Sequence, residues 1–448
     1  SLTLPDMEQF DVIVIGGGIL GCMTARSLRR WEISTLLLEK EADICMGITR
    51  ANSAIVYPGY DNKPGSRKAE MTVRGNAGMQ ALCDELEVPF SRCGSLLVTY
   101  EKDSVSRLER KLQNGLQNGV PGLRLLSGEA AQEMEPMLKK GVAAALYAPS
   151  TGTVNPWKLA IAACENAAAN GARLLCNAEV RAIEKQSSGY IVKTTRGTFQ
   201  CKMICNCAGI SADTVQEMVF APSVRLKLDG AEYLVFDPMA RRPGRVIFEQ
   251  ASSCGKGITA IPCTEGNLLI SGVRKPMHTP FATTPEGLCE LRATAKELFP
   301  ELDLRQIIRC FGAVRPNPYT PDAQSLHDFC IEHPASGFYS LIGIKTPGLT
   351  CANELGRYLA EQAAHELAAK PNTAFDPHRS AIRKTDDPQI VCRCEGVSKS
   401  EILEAIRRGA VTVDGVKRRV GCGMGRCQGA RCSFAIEQLL EEARHAAR

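Results

Sequence analysis

Phe10-Asp-Val-Ile-Val-Ile15 runs directly into Gly16-Gly17-Gly18-Ile19-Leu20-Gly21, and Ser34-Thr-Leu-Leu-Leu-Glu39 follows after one helical stretch. The outer segments are short apolar runs rich in branched side chains, the pattern of strands buried on both faces. From about Ile19 to Arg30, small or apolar residues at Cys22, Ala25 and Leu28 share one helical face. Strand, glycine turn, helix and strand together open a doubly wound parallel sheet. Gly16 permits the tight turn, Gly18 lets the backbone approach a pyrophosphate, and Gly21 allows close helix–strand packing. The helix N-terminus supplies N–H groups and partial positive charge for a phosphate. Glu39, eighteen residues after Gly21, suits a ribose diol. A dinucleotide site is expected; the spacing alone does not separate flavin from nicotinamide.

Outward from this unit, 448 residues allow two or three domains. Helices are expected over 67–87 and from Asn155-Pro156 to Gly171, with Asn155 as N-cap and Pro156 at the first position. Strands are expected at 173–180, 190–195 and 199–206. From about 220 to 335 the pattern changes to short strands, at 231–236, 245–249, 258–262, 267–273 and 305–314, with one helix at 285–298. A separate, largely antiparallel α+β layer inserted into the first domain accounts for it. Phe338 to Ile344 returns as a strand and leads into a helix that ends near Ala369. Residues 371–389, with Pro371, Pro377 and Pro388 in or beside charged stretches, read as a linker. The division expected is 1–219 with 336–370 as the nucleotide domain, 220–335 as the substrate domain, and 390–448 as a small tail domain.

Composition is that of an ordinary globular protein, 44% hydrophobic and 23% charged. Net charge is +5, too mild to argue for nucleic acid as a partner. Four glycines break the longest apolar stretch, Val12 to Ala25, so no membrane span is expected. Residues 1–10 show no secretion signal. A cytoplasmic protein, at most peripheral at the inner face of a membrane, is the expectation. Fifteen of the twenty cysteines are scattered from Cys22 to Cys351, as small apolar side chains would be. The other five crowd into residues 392–432.

Four ordered segments carry a resemblance: Gly16–Gly21 with Glu39; Arg50-Ala-Asn-Ser-Ala-Ile-Val-Tyr57-Pro-Gly59; Cys205-Asn-Cys-Ala-Gly209-Ile-Ser-Ala-Asp213; and Gly343-Ile-Lys-Thr-Pro-Gly-Leu-Thr350. Together they resemble the FAD-dependent oxidoreductases of the D-amino-acid oxidase and glycerol-3-phosphate dehydrogenase superfamily. The resemblance implies a Rossmann-type FAD domain of the α/β class. It implies that Ile19, Leu20, Lys40 and Val180 join the glycines and Glu39 in holding FAD. Arg50, Ala51, Asn52 and Ser53 would run beside the flavin ring, and Ala208 and Gly209 near the pyrophosphate. Gly343, Pro347, Gly348, Leu349 and Thr350 would approach the flavin pyrimidine. Phe311-Gly-Ala-Val-Arg315-Pro resembles the family stretch whose arginine holds an anionic substrate group. Tyr57 stands where relatives often have histidine, and Lys345 where they often have glutamate. Tyr60-Asp-Asn-Lys-Pro-Gly-Ser-Arg-Lys-Ala69 looks closer to L-2-hydroxyglutarate oxidases.

In the tail, Cys392-Arg-Cys394 is followed after 32 residues by Cys427-Gln-Gly-Ala-Arg-Cys432. Thiolates suit iron–sulfur clusters and zinc alike, but this spacing is not that of the common zinc ribbon. Ser398-Lys-Ser-Glu401 is a capping box that opens a helix to Arg408, and a second helix begins near Cys432. Eleven Lys/Arg against seven Asp/Glu would partly offset an anionic cluster. Val391-Cys-Arg-Cys-Glu395 and Gly423–Cys432 resemble the bacterioferritin-associated-ferredoxin-like [2Fe-2S] domain, which implies Cys392, Cys394, Cys427 and Cys432 as ligands. Cys422 is read as a neighbour.

The leading expectation is a dehydrogenase. A small anionic secondary alcohol, glycerol 3-phosphate or a 2-hydroxy acid, passes hydride to flavin, and electrons leave through the cluster to an acceptor protein or second redox subunit. Tyr57, Arg315 and Lys345 are the expected catalytic residues, with Tyr57, Lys345 or a water as base. An amino-acid dehydrogenase of the glycine, sarcosine or proline kind and a non-catalytic electron carrier are the alternatives. His278 is read as incidental.

Overall fold

The computed structural model describes residues 7–238, 240–251, 257–272, 274–276 and 279–446. His278 lies outside these residues. The opening unit forms as expected: β1 (Glu8–Ile15), α1 (Ile19–Leu28) and β2 (Thr35–Leu38), with β1 and β2 parallel. On its other edge β1 pairs in parallel with the strand Gly197–Asn206, which in turn pairs in parallel with Phe338–Ile342. The eight strands of this sheet include Arg173–Leu175 beside β2 and two antiparallel strands, Val180–Lys185 and Tyr190–Thr194, at the far edge. The expected single strand over 173–180 is therefore two strands at opposite edges, separated by a turn in which Asn177 has φ +54°.

Helix α1 packs between the helices Pro156–Ala169 and Gly348–Leu367, and α2 (Arg67–Leu86) lies against the latter. Local chemistry explains the helix starts. Ser66 caps α2 by accepting from Ala69 N, and Asn155 caps Pro156–Ala169 by accepting from Lys158 N. Their inward faces join one core that includes Met23, Leu28, Met79, Leu159 and Leu355.

The second sheet has nine strands and is largely antiparallel, as expected, but it does not come from 220–335 alone. Ser95–Thr99, Arg124–Ser127 and Ala144–Ala148 supply three of its strands, joined by a parallel pairing of Ser95–Thr99 with Val246–Glu249. The boundary placed at 219 is corrected accordingly: residues from both sides of it share one hydrophobic core.

The linker reading of 371–389 is also corrected. Pro371 bridges to Trp31, and Asn166 donates to the carbonyls of Asp376 and His378, both at 3.0 Å. Arg26 is 1% exposed; it donates to Asn166 Oδ1 at 2.9 Å, Glu85 Oε2 at 2.8 Å and the Pro377 carbonyl at 2.9 Å. Lacking helix or strand, the segment is held as a strap by side-chain donors on α1 and Pro156–Ala169. Replacing Arg26 with methionine is expected to cost about 2–4 kcal/mol, because three acceptors lose a buried cationic donor together. Urea unfolding of the holoprotein measures it.

Residues 390–446 form the small helical tail domain. Lys399–Arg407 starts at the full Ser398/Glu401 capping box, and Ser433–Ala446 is the expected second helix. Between them lies a helix the sequence reading lacked, Val413–Val420, capped by Thr412. Among the described residues no helix is long and apolar enough to cross a membrane.

Candidate functional site

A cavity of about 760 Å³ runs from the glycine turn to the inner face of the second sheet. At one end, a Cβ on Gly16 (φ +107°) would lie 2.4 Å from the Cys207 carbonyl oxygen, and one on Gly21 would lie 1.8 Å from Gly16 O. No other residue fits either place. Gly21 therefore works by packing and does not line the cavity, whereas Gly16, Gly18, Ile19 and Leu20 do. Glu39 lies in the same wall, its carboxylate accepting from Gly17 N at 2.7 Å and from Glu41 N at 2.8 Å. Burial raises its pKa against these two donors. Lys40 lines the cavity as expected, and so do Ala208 and Gly209 beyond Gly197–Asn206.

Val180 does not. Its side chain is buried among Ile183, Tyr190 and Phe199 in the core beneath the sheet, because it faces the side of the strand away from the cavity. Gly343 stands behind the wall, where a Cβ would strike the Pro318 ring at 2.6 Å. Thr350 is also behind it, its hydroxyl accepting from Tyr57 N at 2.9 Å, which ties the segment from Arg50 to Tyr57 to the helix Gly348–Leu367.

Arg50, Ala51, Asn52, Ser53 and Tyr57 line the cavity along one side, and Lys345, Pro347, Gly348 and Leu349 along another. Asn52 fixes the turn: its amide donates to the carbonyls of Ile48 and Thr49, and its oxygen accepts from Ala54 N. The Tyr57 ring stacks on Phe248 with centroids 6.1 Å apart, and burial raises its pKa.

Arg315 enters from the second sheet, opposite Asp229 in register. Its Nε is buried with no partner, as is Asp229 Oδ1. Lys345 Nζ is 3.4 Å from Asn317 Oδ1, and burial lowers its pKa while Asp229 opposes the shift. Four further lining residues had not been singled out from the sequence: Thr49, whose hydroxyl accepts from Ile19 N at 2.9 Å, Asp229, Tyr233 and Arg274. Thr49 adjoins a quoted motif and could have been found; Asp229 and Tyr233 come from the strand Arg225–Phe236 and Arg274 from beside a strand, with no local signature. Arg274, Arg315 and Lys345 thus share the cavity with Asp229, which lies in register with Arg315.

In the tail, the four expected cysteines come as two pairs. Cys394 Sγ and Cys427 Sγ are 3.6 Å apart at an exposed edge, while Cys432 hydrogen-bonds Cys392 inside the core. The backbone N–H groups of Arg431 and Gly429 lower the Cys427 pKa, as a thiolate ligand requires. Burial instead raises the Cys422 pKa to about 12, and its side chain belongs to the tail core with Val416 and Ile436.

The cavity has the volume and the glycine cradle that a dinucleotide would need, and two thiol pairs with backbone donors would suit a two-iron cluster. Sequence comparison agrees. Residues 11–362 match the FAD dependent oxidoreductase family, to which the chain belongs, and 390–442 match the BFD-like [2Fe-2S] binding domain. The protein is an FAD-dependent oxidoreductase of the dehydrogenase type with a [2Fe-2S] domain. Over 96% of its length it is 38% identical to a glycerol 3-phosphate dehydrogenase from Caloramator mitchellensis, of which it covers 94%. It is 32% identical to bovine mitochondrial L-2-hydroxyglutarate dehydrogenase, over 72% of this chain and 81% of that one. The fold matches FAD-bound L-alpha-glycerophosphate oxidase from Mycoplasma pneumoniae with a TM-score of 0.76 at 24% identity, over 83% of this chain and 99% of that one.

Within the cradle, Glu39→Ala is expected to weaken FAD binding by a factor of about 10 to 100, since two buried N–H groups lose their acceptor. Fluorescence titration of the apoprotein measures it.

Proposed function

We propose that the protein oxidises glycerol 3-phosphate, or failing that a small 2-hydroxy acid. The observation that carries this is the buried, unpartnered Nε of Arg315 in a cavity it shares with Arg274 and Lys345. A cationic donor without a partner costs free energy unless an anion takes it up. The near full-length likeness to a glycerol 3-phosphate dehydrogenase supports phosphate as that anion.

FAD, when bound, accepts hydride from the alcohol carbon, and the [2Fe-2S] cluster passes the electrons on singly. The chain's own residues do the rest. Arg315 and Arg274 hold the anionic group by charge-assisted hydrogen bonds. Lys345, whose pKa burial lowers, accepts the hydroxyl proton, and Tyr57, held neutral by burial, orients the hydroxyl. The side chains of Cys392, Cys394, Cys427 and Cys432 ligate the cluster in this reading.

The exposed Cys394–Cys427 edge, flanked in sequence by exposed Arg393 and Arg431, supports an acidic electron-acceptor protein as partner. Acceptor reduction that does not slow with rising ionic strength would count against it. A cytoplasmic location, with at most peripheral membrane contact, fits thiols such as Cys205 and Cys351, which burial keeps protonated.

The test is anaerobic titration of the holoenzyme with glycerol 3-phosphate, L-2-hydroxyglutarate and proline in parallel. Rapid bleaching of the flavin band by the phosphate ester is expected. Bleaching by proline alone, or by none of the three when dithionite succeeds, overturns the reading.

A further inference from the structure

Among the described residues, the tail domain meets the rest of the chain along the strap and at three places outside it, one of them buried. Asp43 lies in the loop after β2, with its side chain 3% exposed. Arg419 grips its carboxylate with both ends of the guanidinium, Nη1 to Oδ2 at 2.7 Å and Nη2 to Oδ1 at 3.0 Å. Arg418 Nη2 donates to Oδ2 at 3.1 Å. Both arginines belong to the helix Val413–Val420 and are themselves 5–7% exposed. A Cβ on Gly415 would stand 2.9 Å from Asp43 Oδ2, so the helix reaches the carboxylate because that residue is glycine. The second contact is Glu165 of Pro156–Ala169, which accepts from Arg408 at 3.1 Å and from Arg379 of the strap at 2.7 Å. The third is exposed: Arg426 donates to Gln306 and Arg309 to Gln428, at 3.0 and 3.2 Å.

The two flanks of the buried contact matter. Lys40, Glu41 and Met46, on either side of Asp43, line the cofactor cavity, while Asp43 itself does not. On the other side, Val413–Val420 ends at Gly421 and leads straight into the loop that holds Cys427 and Cys432. One ion pair therefore joins the wall of the FAD cavity to the base of the cysteine loop. Domains joined by small polar interfaces ordinarily move against each other. A forked arginine–carboxylate pair has a defined geometry, and here it is shielded from water.

We propose that Asp43 is a positioning residue for electron transfer: clamped by Arg418 and Arg419, it holds the cluster domain in one pose on the FAD domain, so that electrons cross within a fixed assembly and not by a swinging tail. This rests on the two-cofactor assignment and not on the identity of the substrate. Asparagine at position 43 keeps the shape but removes the charge that two buried guanidiniums face. The pose then loosens, while both cofactor sites keep their own residues.

The experiment uses anaerobic Asp43→Asn holoenzyme. Illuminating the bound flavin with EDTA as electron donor reduces it without any alcohol substrate, so failure of the substrate reading does not touch the result. Flavin absorbance and the cluster's EPR signal are followed together. Flavin reduction is expected at the wild-type rate, and electron arrival at the cluster is expected to slow about tenfold or more, as misplaced reacting groups do. The EPR line shape and the cluster potential are expected to stay unchanged, which separates a change of pose from damage to the cluster. Arg419→Lys, which keeps the charge and loses the fork, should fall between the two, and it serves as the test variant if Asp43→Asn does not assemble. Cluster reduction at the wild-type rate in the tested variant overturns the proposal, and so does a slowed rate accompanied by an altered spectrum or potential.

Discussion

Arg315→Leu is expected to lower the rate constant for anaerobic flavin reduction by glycerol 3-phosphate, taken over its half-saturation constant, by about 10²–10³-fold. That is the range for removing one preorganised cationic donor from a water-poor site. The site is arranged to make this loss large. Arg315 projects from the long strand Ile307–Tyr319, whose register against Arg225–Phe236 places Asp229 across from it. Strand pairing fixes where the Arg315 side chain enters the cavity. FAD content should be unchanged, because the cradle around Gly16 and Glu39 belongs to the other sheet. Arg315→Lys should recover part of the rate, since a point charge attracts the anion but cannot present two parallel donors. Stopped-flow absorbance separates the outcomes: equal losses in both variants would assign the residue to geometry alone, and no loss in either would remove it from the substrate site.

The second large effect belongs to the tail. Cys427→Ser is expected to lower the iron and acid-labile sulfide content about tenfold or more, with flavin reduction by substrate left near the wild-type rate. Cys427 is the thiol most prepared for the task, lowered in pKa by the N–H groups of Arg431 and Gly429 and set at 3.6 Å from Cys394. Serine cannot reproduce a thiolate at neutral pH. Cys422→Ser is the informative control. Its thiol is buried with Val416, so that substitution should cost stability and leave the cluster in place. Loss of iron in Cys422→Ser and its retention in Cys427→Ser would exchange the two assignments. Iron analysis with EPR of the reduced protein decides.

These expectations were unequally legible in the sequence. The glycine turn, Glu39 and the cysteine pairs follow spacing rules that local backbone geometry enforces: Gly16, Gly18 and Glu39 lie in the cavity wall, and Cys394 lies beside Cys427. Val180 shows the limit of carrying a residue over by position, since one strand register decides whether its side chain meets the cavity or the core. Asp229 reaches the site through pairing of its strand with Ile307–Tyr319, far along the chain, and Arg274 from beside Lys275–Pro276, which leaves no local pattern. The same is true of residues 95–148, whose strands join the second sheet through the pairing of Ser95–Thr99 with Val246–Glu249, 151 positions further on. The strap failed as a linker for a different reason. Prolines and mixed charge predict the absence of helix and strand, which is correct, but not the absence of contacts, which Arg26 and Asn166 supply. Similarly, no local pattern links Asp43 to Arg419, 376 positions apart, which the fold brings together.

Helix α1, which carries the phosphate-binding end of the cradle, is packed along Gly348–Leu367, and β1 beside it pairs with Gly197–Asn206. During synthesis, residues 8–38 thus emerge with their motif complete but with both apolar flanks uncovered. The walls of the cavity close only when residues beyond 340 have left the ribosome. The cofactor cavity is consequently incomplete until that point. Until then the nascent chain carries an unpaired strand and a bare helix face, the features that invite aggregation and chaperone capture. Yields of active protein should therefore depend on elongation speed across residues 40–340 and on FAD supply once the far wall has emerged.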